Sequence, residues 1–166
     1  MSEFVTRFGS LGNYEKGHIE IINDNPKYYV FSNMFEVASR AKPYEKVAVA
    51  KNFEYVIEAI RAEGTSTWMA ASHDEFCVVM DGEVTVELVK LDNPEAVAPA
   101  DHDGTVKVDG EPRGRRMGSI RLRRGHQALL PKGAAYRFAS AKPSVIMHQS
   151  ILGDLTVQKW SEICYS

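Results

Sequence analysis

The chain has 166 residues, 44% of them hydrophobic and 25% charged, with a net charge of −2. That is the composition of one globular domain of ordinary size, long enough to bury a core, and its charge gives no global pull toward nucleic acid or an anionic membrane. No apolar run approaches the roughly 18–20 residues of a membrane-spanning helix, and the N-terminal MSEFVTRFGSLGNYEKG lacks the basic and apolar regions of a signal peptide, so the expected compartment is the cytoplasm.

Short β-rich segments separated by turn signals run along the chain and predict an all-β sandwich or barrel. In chain order the expected strands are 19–23 (IEIIN), 28–33 (YYVFSN), 34–39 (MFEVAS), 54–63 (EYVIEAIRAE), 75–80 (EFCVVM), 83–91 (EVTVELVKL), 118–124 (GSIRLRR), 127–131 (QALLP), 136–140 (YRFAS) and 145–152 (VIMHQSIL). In EVTVEL, Val84, Val86 and Leu88 alternate with Thr85 and Glu87, the pattern of a half-buried antiparallel strand. Residues 43–52 (PYEKVAVAKN) read as a short helix or a loop. Residues 92–117 read as a long loop insertion whose Asp109-Gly110 suits a small hairpin. One domain spans 1–166, with N-terminal extension strands over about 1–53. The two cysteines, Cys77 and Cys164, form neither a disulfide framework nor a CxxC motif; Cys77 in FCVVM reads as a small buried hydrophobe.

Two blocks carry a resemblance. In the first, Glu75 is followed by six residues and then Gly82, and Asp81-Gly82 makes a hairpin turn. In the second, Gly125, five residues, Pro131-Lys132-Gly133, two residues and Tyr136 follow in order. These spacings resemble the two sequence motifs of the cupin superfamily over roughly residues 55–150. The resemblance implies a cupin-type antiparallel β-barrel (a double-stranded β-helix or jelly roll) with its site inside the barrel mouth.

The same alignment shows what is missing. The two histidines of the first motif would fall at Trp68 and Ala70, or at Met69 and Ala71, and the last ligand of the second motif falls at Tyr136. Of the four usual cupin ligands, Glu75 alone remains. His73 shares a strand face with Glu75, and His148 in VIMHQS adds an imidazole from a late strand, so His73, Glu75 and His148 are the candidate metal ligands. Because a catalytic metal site generally has three protein ligands and an open position, the reading is a barrel without a metal. Trp68 or Met69 together with Tyr136 would then fill the old metal position, and the Tyr136 hydroxyl would bond Glu75 across the barrel.

The wider text from Glu54 to Glu95 and from Arg123 to Phe138 resembles the small subunit of two-component hydroquinone 1,2-dioxygenases. That resemblance implies a non-catalytic, metal-free subunit in an α2β2 heterotetramer. A larger cupin-like partner would carry Fe(II) and cleave hydroquinone with O2 to 4-hydroxymuconic semialdehyde. Trp68, Met69, Glu75 and Tyr136 are the expected substrate-pocket or interface residues, and Trp68 is the expected interface anchor. Two other enzyme readings compete. A metal-independent epimerase or isomerase would use His73 and Tyr136 as base and acid, although Asp74, adjacent to His73, points to the opposite face. A stand-alone cupin dioxygenase would use His73, Glu75 and His148. A sensing or storage cupin with no chemistry is a third alternative. The run Arg113–Arg124 holds six arginines. With no nucleic-acid motif beside it, it reads as a solvated face, and next as a subunit interface. His18, His102 and His126 lie in polar, turn-like contexts and are expected to face water, as is the Asp101-His102-Asp103 triplet.

Overall fold

A computed structural model describes residues 9–15, 33–52 and 54–159. In chain order they form α1 (Met34–Arg40), β1 (Lys46–Asn52), β2 (Tyr55–Thr65), β3 (Met69–Ala71), β4 (Glu75–Asp81), β5 (Glu83–Leu91), α2 (Pro94–Val97), β6 (Thr105–Lys107), β7 (Gly114–Arg123), β8 (Gln127–Leu130), β9 (Ala134–Ile151) and β10 (Thr156–Val157). The expected strand at 19–23, residues 28–32 of the next, His18 and Cys164 lie outside the described residues.

The organising element is β9. It is 18 residues long and pairs antiparallel with β2, β3, β4 and β5. The two strands expected at 136–140 and 145–152 are therefore one continuous strand that bends. β1 pairs with β2 on one side and, in parallel, with β10 on the other. β8 pairs with β4, β6 with β3, and β7 with β5. Pairing with four strands curls the sheet around β9, and β6, β7, β8 and β10, each with one partner among the described residues, are its edges.

The inward faces follow the period of two. Ile60, Ala62, Met69, Cys77, Val79, Val84, Val86, Leu88, Leu122, Tyr136, Phe138 and Ile146 form one buried cluster inside the barrel. Cys77 is fully buried, and burial pushes its thiol up to about 12. β2 is covered on its outer face as well, because Ala59 packs with Val47, Val49 and Val37 under α1.

Three expectations are corrected. Residues 34–39 form a helix. The Asn33 side chain accepts hydrogen bonds from the Phe35 and Glu36 amides, so the first turn is capped, and this local signal outweighs the β-like apolar content. Residues 46–52 form strand β1, because Val47 and Val49 have α1 to pack against. The stretch 92–117 holds α2, β6 and the start of β7. β6 pairs with β3 rather than folding back as a hairpin at Asp109-Gly110.

Gly82 joins β4 to β5 at φ +79°, and a Cβ there would meet Ser144 Oγ at 2.1 Å. Gly82→Ala is expected to lower the unfolding free energy by about 2 kcal/mol, from the left-handed backbone cost plus the clash. Urea denaturation at neutral pH would measure it, and an unchanged midpoint would contradict the turn geometry.

Candidate functional site

Inside the barrel, polar side chains from six strands converge. Lys46 comes from β1, Glu58 from β2, Glu75 from β4, Thr105 from β6, Tyr136, His148 and Ser150 from β9, and Thr156 from β10. Their registers explain the meeting. His148 stands opposite Glu58 on β2 and opposite Cys77 on β4, which puts Glu75 and Ser150 one pleat further along. Lys46 lies opposite Ile60, one pleat from Glu58. Lys46, Glu58, Glu75, Thr105, Tyr136, His148 and Ser150 are all buried.

The bonding is dense. Glu75 Oε1 accepts from Thr105 at 2.6 Å and from Ser150 at 2.5 Å, and Oε2 accepts from the Tyr136 hydroxyl at 2.6 Å. Glu58 Oε2 accepts from His148 Nδ1 at 2.9 Å and lies 3.2 Å from the Lys46 ammonium, while Oε1 accepts from Thr156 at 2.7 Å. Lys46 Nζ donates to Thr105 Oγ1 and stands 4.0 Å from Glu75 Oε1. His148 Nε2 lies 3.7 Å from the same oxygen.

Burial alone would raise both carboxyls. For Glu75 it is outweighed by the charges of His148 and Lys46 and by the Ser150 and Thr105 hydroxyls, which hold it at about 2. Glu58 is also held low, through His148, Lys46 and Thr156 against its own desolvation. Tyr136 goes the other way. Burial and the neighbouring Glu75 carboxylate push its phenol well above the usual value, so it remains a donor.

The sequence candidates sort clearly. His73, Glu75, Tyr136 and His148 are brought together: His73 Nε2 is 3.9 Å from Glu75 Oε1, and it accepts from the Ile151 amide at 3.3 Å. Burial lowers the His73 pKa. Met69 lies in the core cluster and is paired in register with Tyr136. Met69, Glu75 and Tyr136 are buried within the chain. Of the two residues expected beside Tyr136 inside the barrel, Met69 is there and Trp68 is not. One residue from Met69, it points to the opposite face and packs with Ala70, Val89, Leu91, Ala98 and Ala135 beneath the 92–117 segment. Its Nε1 donates to Glu111 at 3.1 Å, and the Arg137 guanidinium lies over its ring at 4.5 Å. It is only 7% exposed. Asp74 faces outward and accepts from the Lys132 amide, capping the turn before β9, so it does not orient His73. His126 is exposed. His102 is half-buried, and its carbonyl accepts from the Ser72 hydroxyl. In the arginine run, Arg116, Arg121, Arg123 and Arg124 pair with Glu87, Glu83 or Asp81 along the exposed β7 edge.

Sequence reasoning missed Lys46, Glu58, Thr105 and Ser150. A sign was present for two of them. In KVAVA and YVIEAI a charged residue sits on the inward phase of an apolar alternation, and a buried charge needs a partner.

A cupin metal would need this interior, and the donor set does not fit one. Both carboxylates are already engaged by hydroxyls and by an ammonium or imidazole. The Lys46 charge stands where a divalent ion would have to approach. Among the described residues no three His, Cys, Asp or Glu side chains form a group able to hold an ion.

The barrel, with its two turns at Gly82 and Gly133, has the cupin fold. A chain of hydroquinone 1,2-dioxygenase from Sphingomonas sp. TTNP3, solved with 4-hydroxybenzoate bound, is similar at 58% identity over 98% of both chains, with a TM-score of 0.90. A chain of hydroquinone 1,2-dioxygenase PnpCD, solved with Cd2+ and 4-hydroxybenzonitrile, is similar at 52% identity over 98% of this chain and 97% of that one, with a TM-score of 0.87. A longer chain of PnpCD, solved with Fe3+, shares the fold alone, at 12% identity over 82% of this chain and 37% of that one, with a TM-score of 0.58. No protein-family model and no curated protein matches the chain. The chain belongs to the hydroquinone 1,2-dioxygenase family.

The carboxyl shifts set a pH dependence. Glu75 is lower folded, at about 2, than its ordinary 4.5. Its contribution is therefore complete above about pH 5 and lost as pH falls toward 2. Glu75→Gln is expected to cost about 3 kcal/mol at pH 7 and to flatten the fall in stability between pH 5 and pH 2. Denaturant melts across that range would show it, and a parallel pH slope in the variant would contradict it.

Proposed function

We propose that this chain is the metal-free, non-catalytic small subunit of an Fe(II)-dependent hydroquinone 1,2-dioxygenase. A larger cupin subunit holds the iron in an α2β2 heterotetramer, and the complex opens hydroquinone with O2 to 4-hydroxymuconic semialdehyde. The observation that carries this reading is the 58% identity over 98% of both chains with a chain of an enzyme of that name. Two further facts support it. A second, longer cupin-fold chain occurs in a structure of such an enzyme with Fe3+ bound. Here, the interior where a cupin would bind metal is occupied by an ion pair.

A subunit without a metal contributes surface and shape. Ring opening at iron needs a dry pocket that orients the diol and excludes water, and a rigid partner surface can close such a pocket. We assign that surface to the 92–117 segment, with Trp68 at its base held by Arg137 and Glu111. No step of the chemistry is assigned to His73 or Tyr136. Among the described residues no helix is long and apolar enough to cross a membrane, and we assign the complex to the cytoplasm, in keeping with the free buried thiol of Cys77.

The test is reconstitution. The chain, purified alone and supplied anaerobically with Fe(II), is expected to leave hydroquinone unchanged on admission of O2. Mixed with the larger subunit it should restore ring cleavage, followed by ultraviolet absorbance. Trp68→Ala is expected to weaken assembly or raise KM at least about tenfold, the loss of a central aromatic anchor. Ring opening by the iron-loaded chain alone would overturn the reading.

A further inference from the structure

We propose that the free edge of β7 is a docking strand. An extended segment of the larger subunit, with carboxylates and apolar side chains in alternation, pairs with it and lengthens the sheet. This rests on the function proposed above and specifies how the two chains join.

Among the described residues β7 pairs with β5 alone, so the backbone N–H and C=O groups along its other side have no strand partner. Its pairing with β5 is regular from Gly118 to Arg123, and Met117 is the extra residue where the register shifts. The two faces of this stretch differ. Arg121 and Arg123 stand opposite Thr85 and Glu83 on the outer face, while Ile120 and Leu122 stand opposite Val86 and Val84 on the inner one. Leu122 is buried in the core cluster. Ile120, two residues away on the same face, is 40% exposed, and Met117 is 50% exposed. The apolar inner face therefore runs out past the core and ends uncovered at the edge.

Charge selects the strand that fits. Outward from β9 the sign alternates strand by strand, with Arg137 on β9, Glu83 and Glu87 on β5, and Arg116, Arg121 and Arg123 on β7. The arginines of β7 exceed the carboxylates beside them. Arg121 and Arg123 share Glu83, Arg116 shares Glu87 with Arg137, and Arg115 makes no ion pair among the described residues. The side chains of Arg121 and Arg123 remain 69% and 68% exposed, so their donors are open to a further strand. Opposite charges on neighbouring strands stabilise a pair and like charges oppose it. A second copy of β7 would crowd the arginines of both edges together. A strand with carboxylates two residues apart continues the alternation and presents planar acceptors to the guanidinium forks. Its intervening apolar residues lie against Ile120. Main-chain hydrogen bonds then supply affinity, and the two faces supply selection. β7 begins at Gly114, inside the 92–117 segment, so this edge continues the surface assigned above to the partner.

Hydrogen exchange of the full-length chain, alone and in complex with the larger subunit, tests this. Every second amide of residues 118–123 points to the free edge. Those amides are expected to exchange freely in the chain alone and at least about tenfold more slowly in the complex. Arg121→Gln combined with Arg123→Gln is expected to leave the melting midpoint of the chain nearly unchanged, because exposed ion pairs contribute little to stability. The same variant should raise the Kd for the larger subunit at least about tenfold and flatten its dependence on salt. Arg121→Lys with Arg123→Lys should keep the salt dependence. A merely structural role would move the midpoint and leave the salt slope alone. The proposal is overturned if the complex forms and opens hydroquinone while residues 118–123 exchange as in the free chain, or if the double Gln variant binds as wild type does. Protection of 118–123 that grows with the concentration of the chain alone also overturns it, since the occupant is then a second copy. A chain that does not assemble with the larger subunit overturns the function proposed above, and this mode of joining with it.

Discussion

Two carboxylates, Glu58 and Glu75, sit inside an apolar barrel, and the structure depends on their neutralisation. Each would cost several kcal/mol to bury alone. Lys46 and His148 supply the compensating groups, and Thr105, Ser150, Thr156 and Tyr136 occupy the remaining lone pairs. Because those partners come from β1, β6, β9 and β10, the network fixes the mutual register of strands far apart in the chain. A one-residue slip of β9 against β2 would turn His148 outward and leave Glu58 with Lys46 and Thr156 only. The apolar cluster supplies the bulk of the burial, while the polar box specifies which burial is reached.

The same box decides what the barrel can do. Glu75 has the place and orientation of a metal ligand, yet every oxygen it offers is taken. The Tyr136 hydroxyl, whose pKa is raised by burial beside Glu75, holds its proton and donates it permanently to that carboxylate. A group so fixed is a strut. The chain keeps the cupin frame and a polar interior, with an internal ammonium in the middle. Outside the barrel, Arg137 stacks on Trp68, which packs with Val89, Leu91, Ala98 and Ala135 beneath the 92–117 segment.

Much of this was legible from local spacing. The intervals Glu75 to Gly82 and Gly125 to Tyr136 mark two turns that the strands must make, and turn chemistry is readable because few residues tolerate it. The facing of Val84, Val86 and Leu88 followed from alternation alone, and the Tyr136–Glu75 bond followed from the need of a buried carboxylate for a donor. What stayed hidden depends on partners distant in sequence. MFEVAS is apolar enough for a strand, and it became a helix through the Asn33 cap and the surface of Val47, Val49 and Ala59 that it covers. PYEKVAVAKN gave no sign that α1 would cover it and β10 pair with it. Lys46 and Glu58 look like surface charges until β1 and β2 are seen to turn them inward. Trp68 and Met69 were both open for the barrel interior because the motif count located the position and not its face; one residue of parity separates them, and Met69 is the one inside.

The central claim is that this chain keeps its interior charge-balanced without a metal and that the iron of the complex lies in its partner. Anomalous diffraction at the iron edge, on crystals of the chain assembled with the larger subunit, tests it most directly. The account predicts one iron peak for each pair of unlike chains, in the larger subunit, and none between Glu58, Glu75 and His148. A peak in that interior, with Lys46 displaced, would contradict it.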